Sequence, residues 1–383
     1  MRIYLDARNL TDKPSGVGRY AQFLIPELVR LAGGAHRFVV IRHASERAPL
    51  DCSGHRDVEE HFVEDHIGKL SDFVTGAGWL HAVFREHGAP DIYHNLFHIS
   101  PLGLGLFGDY KPRHVITLHD LIWIDHPMAS QGTALKAGAM WAFGRAAIGA
   151  TVAGADHVIC ISEPTRERAE ARFGAFAHTI IPHGVHQRYF EAAGGAPDGV
   201  LGELVAAGVP YVLAVGNAKL YKNLQTLLRA FALLKARRGR LARLVLVGPC
   251  GGLAGLVREL GLEADVVLPG FVDDEGLCRA LAHARAFVFP SLVEGFGLPP
   301  LEAMAQGAPT IIADIEPMRT VGGSGAQRFD GRDAGALAAL MAALIEDDTL
   351  HAQWVARGRA WASRFTWEAT AGATLEVYER VGR

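Results

Sequence analysis

The chain alternates between short apolar runs and segments with helical spacing. In the C-terminal half the alternation is clean. PYVLAVG from Pro210 predicts a strand, and Leu224 to Arg237 predicts a helix. RLVLVG (Arg243 to Gly248) is the next strand, with a helix after it to about Leu260. VVLPGF, a helix over Leu277 to Ala284, AFVFP, a helix from Pro299 and PTIIA follow. Uninterrupted apolar runs between helices predict parallel strands covered on both faces. The N-terminal half repeats the scheme more loosely. RIYLD, RFVVIR, DIYH, HVITLHD, HVICIS and HTIIPHG are its strands, and its helices fall near 17–32, 74–87, 133–152 and 163–172.

A stretch rich in Gly, Ala and Pro, Glu191 to Gly202, separates the halves as a linker. The pattern therefore predicts an α/β protein of two doubly wound, Rossmann-like domains. The first covers 1–190, the linker 191–202 and the second 203–360. The segment 361–383, helical after Phe365 to Trp367, is expected to return to the first domain. Ligands of such sheets bind beyond the carboxyl ends of the strands, so the expected site is the cleft between the domains.

Composition changes this picture little. An apolar share of 49% and a charged share of 21% in 383 residues suit a globular protein of two or three domains. A net charge of -3 with no basic run excludes a nucleic-acid binder. Cys52, Cys160, Cys250 and Cys278 form no C-x-x-C pair, which argues against a zinc ribbon and a disulfide scaffold. MRIYLDARNL reads as a strand, not a signal peptide, and the apolar stretch Ala134 to Ala155 is interrupted by Lys136 and Arg145. A cytoplasmic protein is expected.

The strongest chemical signal is PSLVEGFGLPPLEAMAQGAP, Pro290 to Pro309. It leaves a strand, crosses a glycine turn and opens a helix at Pro299–Pro300, where proline suits the first turn. The N–H groups of Gly297 and Leu298 would then favour an anion, a contribution of about 0.3–1 kcal/mol that cannot alone hold a diphosphate. Glu294 and Glu302 bracket the turn. Acids are poor phosphate ligands, so these serve other parts of a ligand, such as ribose hydroxyls, or are merely solvated.

Three weaker patterns are set aside. SGVGRYA matches G-x-G-x-x-A through Gly16, Gly18 and Ala21, but lies too far from the first strand for a dinucleotide turn. His94 and His98 have i, i+4 spacing, yet DIYHNLFHIS is strand and loop without a third ligand. Asp273–Asp274 opens the following helix more naturally than it holds a metal-bound diphosphate. No essential metal is expected.

The E-x7-E segment, EGFGLPPLEAMA, resembles the signature of family 4 retaining glycosyltransferases of GT-B fold. SGVGRY, LHDLIW at Leu118, IPHGV at Ile181, VGNAKLYKN at Val215 and PGFV at Pro269 follow in that family's order, so the resemblance covers nearly the whole chain. It implies that Glu302 holds the donor ribose and Glu294 lies near the transferred sugar. The backbone of Phe296, Gly297 and Leu298 would cradle sugar and diphosphate, and Lys222 would neutralise the diphosphate. The chain near Val272 would bracket the nucleobase, and a glycine loop from Gly16 to Gly18 would approach the phosphates from the first domain.

His119 and Asp120 end a predicted strand. They either cap a turn or, as the resemblance implies, bring His119 to the donor sugar. The family usually places Arg before the loop lysine, where this chain has Tyr221. Lys219 is the nearby cation that could replace it, and Asn217 is a possible amide contact.

The implied reaction moves a hexose with retention from a nucleotide sugar to a saccharide or lipid-linked saccharide acceptor. Its best form is mannose from GDP-mannose in bacterial surface polysaccharide synthesis. No cofactor is expected beyond that co-substrate. Trp141 and Phe143, between Lys136 and Arg145, suggest peripheral contact with the inner face of the cytoplasmic membrane or ordinary core packing. A non-catalytic nucleotide-sugar-binding subunit and a sugar-nucleotide epimerase are the alternatives.

Overall fold

The computed structural model describes residues 1–11, 16–45, 50–64, 70–102, 110–126, 134–239 and 241–383. Ser15 of the SGVGRY segment and Thr133, an expected helix residue, lie outside them. The chain forms two compact units. One comprises Met1–Gly184 with Trp367–Arg383, and the other Val185–Thr366.

In the first unit the strands are β1 (Arg2–Asp6), β2 (Arg37–His43), β3 (Val58–Val63), β4 (Ile92–Asn95), β5 (Arg113–Leu118), β6 (His157–Cys160) and β7 (His178–Ile180). They form one parallel sheet in the order β3-β2-β1-β4-β5-β6-β7. Its helices are α1 (Gly16–Ala32), α2 (Leu70–His87), α3 (Ile122–Asp125), α4 (Ala134–Gly154) and α5 (Glu163–Phe173). Tyr20, Leu24, Leu28 and Val29 recur at helical spacing and bury one face of α1. The C-terminal helix, Trp367–Val381, answers with Trp367, Ala371, Val377 and Tyr378 in the same core. Burying each large side chain there contributes about 1.5–3 kcal/mol.

The second unit holds β8 (Tyr211–Val215), β9 (Arg243–Val247), β10 (Val266–Gly270), β11 (Ala286–Phe289), β12 (Thr310–Ala313) and β13 (Ala326–Phe329), parallel in the order β10-β9-β8-β11-β12-β13. Its helices are α6 (Gly199–Ala206), α7 (Leu224–Arg238), α8 (Ala254–Glu259), α9 (Asp274–Ala282), α10 (Leu298–Gln306), α11 (Met318–Gly322), α12 (Ala334–Glu346) and α13 (Asp348–Ala362). Leu227, Leu228 and Phe231 of α7 pack with Leu337 and Met341 of α12 over one sheet face. The stretch expected as a linker lies inside this unit and runs into α6, which begins at Gly199.

Each sheet reverses its strand order once, beside β1 and β4 in the first and β8 and β11 in the second. Ligands of open α/β sheets gather at such a reversal, beyond the carboxyl ends. In the second unit the loops there are laced together: Gly216 donates to the Val247 carbonyl at 3.0 Å and Gly248 to the Gly270 carbonyl at 2.7 Å. Gly248 has φ +111°, and a Cβ on it would stand 2.1 Å from the Gly216 oxygen, so glycine is required there.

Two strands escape the sequence pattern, β3 (VEEHFV) and β13 (AQRF). Both are sheet edges, where one side of the strand meets no partner and polar residues are tolerated.

Candidate functional site

In the second unit, β8 leads into a loop that closes with a short 3-10 turn, Leu220–Lys222. The Lys222 ammonium donates to Glu294 Oε1 at 2.6 Å, and both side chains are largely buried. Lys222 Nζ also lies 5.3 Å from the ring centres of Tyr221 and Phe289. The two expected donor residues thus meet because β8 and β11 are neighbours across the order reversal. Asn217 accepts the Lys219 backbone N–H through Oδ1 at 3.0 Å. Lys219 is exposed, with its ammonium 5.9 Å from the Tyr221 ring centre. Tyr221, where arginine is usual, therefore stands beside two ammonium groups.

The next residue, Asn223, is not among those expected from sequence. It is the non-glycine residue with left-handed backbone, φ +55°, among those described. Its buried amide donates to the carbonyls of Pro290 at 3.0 Å and Gly331 at 2.7 Å and accepts from Thr226 Oγ1 at 2.7 Å. One side chain thereby fixes the loops after β8, β11 and β13. Its signal was the final letter of VGNAKLYKN, since asparagine is among the few residues that tolerate this backbone.

Beyond β11 the chain turns at Gly297, φ +103°, into α10. A helix start leaves four N–H groups unpaired. Here Pro299 and Pro300 have none, so the orphan donors reduce to Gly297 and Leu298. Neither has a partner among the described residues. Phe296 and Leu298 are buried, and Phe296 meets Phe365 edge-on at 6.4 Å. Glu302 lies one turn into α10 and is 4% exposed. Val272 follows β10, half-buried beside Asp273, whose carboxylate caps α9 by accepting from Gly276 N–H at 2.8 Å. The loop after β8, the loop after β11 and the start of α10 therefore carry two ammonium groups, the carboxylates of Glu294 and Glu302 and two free backbone donors, a set able to bind a nucleotide diphosphate.

The first unit carries the other expected residues. Gly16 and Gly18, expected as a loop, are the first turn of α1. A Cβ at Gly16 would meet nothing within 4 Å. His119 lies just past β5, 3% exposed, with Nε2 2.9 Å from the Leu96 carbonyl. A carbonyl only accepts, so Nε2 carries the proton and Nδ1 presents a lone pair. Burial pushes the imidazole down to about 4, so it is neutral near pH 7. Tyr20 and His183 surround it with ring centres at 4.9 and 5.4 Å. Asp120 accepts the Ile122 N–H at 2.9 Å and so caps the turn into α3.

His94 and His98, the set-aside metal pair, sit on β4 and in the loop after it. His94 is bound to Tyr378 Oη at 2.5 Å and Thr117 Oγ1 at 2.9 Å, which ties the C-terminal helix to the sheet. At the carboxyl end of β1, Arg8 grips Asp6 with Nε and Nη2 at 2.8 and 2.7 Å and reaches Asp72 at 2.7 Å, all buried. Sequence reasoning missed this cluster; the DAR letters carry no motif. The four cysteines are buried and free.

Comparison with known proteins agrees with this architecture. Residues 203–361 match the family "Glycosyl transferases group 1", and residues 14–188 match "Glycosyltransferase Family 4". The chain is 35% identical over 173 residues to an O-antigen chain mannosyltransferase B of Escherichia coli, covering 44% of this chain and 45% of that protein. It thus spans under half the length of that relative. With a D-inositol 3-phosphate glycosyltransferase of Kineococcus radiotolerans it shares 31% identity over 343 residues, 83% of this chain and 77% of the relative. The crystal structure of Anabaena HepE in complex with UDP and glucose superposes with a TM-score of 0.75 at 20% identity, covering 99% of this chain and 100% of that one. Two parallel Rossmann-like sheets, both family matches and a relative aligned over most of its length place the chain among the family 4 glycosyltransferases of GT-B fold.

Proposed function

We propose that this protein transfers a hexose, with retention, from a nucleotide diphosphate sugar to a saccharide or lipid-linked saccharide acceptor. The observation that carries the reading is the Lys222–Glu294 pair at 2.6 Å beside the unpaired N–H groups of Gly297 and Leu298, all at the order reversal of one sheet. The diphosphate would take Lys222 and the two N–H groups, which stabilise the charge that develops as it leaves. Glu294, held by Lys222, would accept hydroxyls of the transferred sugar. Glu302 would accept those of the ribose, and Phe296 would line the donor. Lys219, sharing Tyr221 with Lys222, is assigned the role of the usual arginine. Asn217 orders that loop, and the backbone at Val272 brackets the base.

In the first unit, His119 would offer its Nδ1 lone pair to a sugar hydroxyl, with Asp120 shaping the turn that carries it. At the first turn of α1 a Cβ on Gly16 would meet nothing within 4 Å, and this turn, with Gly16 and Gly18, is assigned the approach to the phosphates from the first unit. Similarity to the E. coli mannosyltransferase supports mannose from GDP-mannose in surface polysaccharide synthesis as the specific donor reading. No helix among the described residues is long and apolar enough to cross a membrane. Peripheral contact is assigned to α4, which exposes Leu135 and Trp141, while Phe143 packs against Phe73.

The test measures binding of GDP-mannose, UDP-glucose and other nucleotide sugars by thermal shift, with donor hydrolysis followed without acceptor. Lys222→Ala should weaken diphosphate binding about 10–100-fold, the worth of a charged hydrogen bond of ~1.5–3 kcal/mol. Stabilisation by no nucleotide sugar, or by all equally in wild type and Lys222→Ala, would refute the reading. An inverted anomeric product would refute retention.

A further inference from the structure

On the first unit, β3 and the last turn of α2 bring two imidazoles and a carboxylate together. His61 Nδ1 lies 2.9 Å from His87 Nε2. The Glu86 carboxylate lies 3.9 Å from His61 Nδ1 and 3.7 Å from His87 Nε2. One ligand-type atom from each of the three falls within 4.8 Å of the others. Ligands of a tetrahedral zinc held at ~2.0–2.1 Å stand about 3.3–3.4 Å apart, so shifts of a few tenths of an ångström suffice.

A fourth residue gives the cluster direction. His87 Nδ1 is 2.9 Å from Glu59 Oε2. An ionised carboxylate only accepts, so His87 carries its proton on Nδ1 and turns its Nε2 lone pair toward His61 and Glu86. This is the arrangement by which outer carboxylates orient a metal-binding imidazole. Both imidazoles are sheltered, at 19% and 17% exposure, while Glu86 at 63% stands at the open side.

We propose that His61 Nδ1, His87 Nε2 and Glu86 form a site for a divalent transition-metal ion of the zinc class, with Glu59 as positioning carboxylate and water as fourth ligand. Two imidazoles exclude calcium and magnesium, which take oxygen ligands. On binding, His61 moves its proton from Nδ1 to Nε2. The ion clips the edge strand β3, the outermost of its sheet on that side, to the end of α2. None of these four residues is among the candidate donor or sugar-binding residues.

The experiment titrates the chelator-treated full chain with Co²⁺ and reads the visible absorption of tetrahedral cobalt, then displaces it with Zn²⁺. One ion per chain is expected. The signal should be lost in His61→Ala and His87→Ala and weakened about 10–100-fold in Glu59→Gln. His87→Gln serves if an alanine variant fails to fold. Absence of a tetrahedral spectrum, or a spectrum and stoichiometry unchanged in the His87 variants, would overturn the assignment.

Discussion

Asn223 concentrates more of the candidate donor site than any other single side chain, so its loss should be felt in three loops at once. In Asn223→Ala the carbonyls of Pro290 and Gly331 lose their shared donor, and both bonds are buried. An unsatisfied buried group costs about 1–3 kcal/mol, so local opening should become easier by ~2–6 kcal/mol. Alanine adds its own penalty at φ +55°, about 1–2 kcal/mol relative to glycine. Asn223→Gly removes the same amide but carries no such backbone penalty. Hydrogen exchange by mass spectrometry reads this directly through the amides of Leu292, bonded to Tyr221 at 2.8 Å, and Asp333, bonded to Asp330 at 2.8 Å. At about 1.4 kcal/mol per tenfold, a midrange ~4 kcal/mol gives roughly 700-fold faster exchange at both in the glycine variant, and the backbone penalty should make the alanine variant about tenfold faster still. Unchanged exchange at Leu292 and Asp333, or identical rates in the two variants, would refute this account.

Other consequences are as specific. Gly248→Ala should destabilise the second unit strongly, because its Cβ would stand 2.1 Å from the Gly216 oxygen at φ +111°, while Gly251→Ala, with open space, should be nearly neutral; urea midpoints of the two variants separate them. Burial pushes His94 and His98 down to about 3 and His114 and His119 to about 4. These values lie below the ~6.5 of an exposed imidazole, so acid favours the unfolded chain, which binds the protons first. Stability should therefore be full above about pH 6.5 and fall toward pH 4, by up to ~1.4 kcal/mol per pH unit for each histidine. A urea midpoint equal at about pH 7.5 and about pH 5.5 would contradict it. Tyr378→Phe removes the Oη partner of His94 and should cost about 0.5–1.5 kcal/mol, more if the imidazole nitrogen is left unpaired, measured by denaturant unfolding.

Much of the architecture was legible because buried parallel strands leave apolar runs that need no partner to be recognised. RIYLD, RFVVIR and AFVFP became β1, β2 and β11 within a residue or two. Edge strands lack that imprint: β3 carries Glu59, Glu60 and His61, so its pattern resembles a loop. β10 is also an edge, but its VVLPG run betrays it. Motif spacing brought out Glu294, Glu302 and Lys222, yet not that Lys222 and Glu294 pair, which depends on strand order and not on strand existence. Asn223 and the Asp6–Arg8–Asp72 cluster were hidden for a related reason. Their roles are set by what lies across the fold, 67 and 108 residues away for the two carbonyls that Asn223 holds.

The chain leaves its first unit at Gly184 and re-enters it at Trp367, so the second unit is an insertion within the first. Its 182 residues, Val185 to Thr366, are all synthesised before the helix that carries Trp367 and Tyr378 exists. On the ribosome, domains form as their sequence emerges. Here the later unit can therefore close first, while the earlier one waits with the apolar face of α1 uncovered. Chaperone demand should fall on the first unit, and a chain truncated after Thr366 should display a protease-resistant second unit beside a protease-sensitive first.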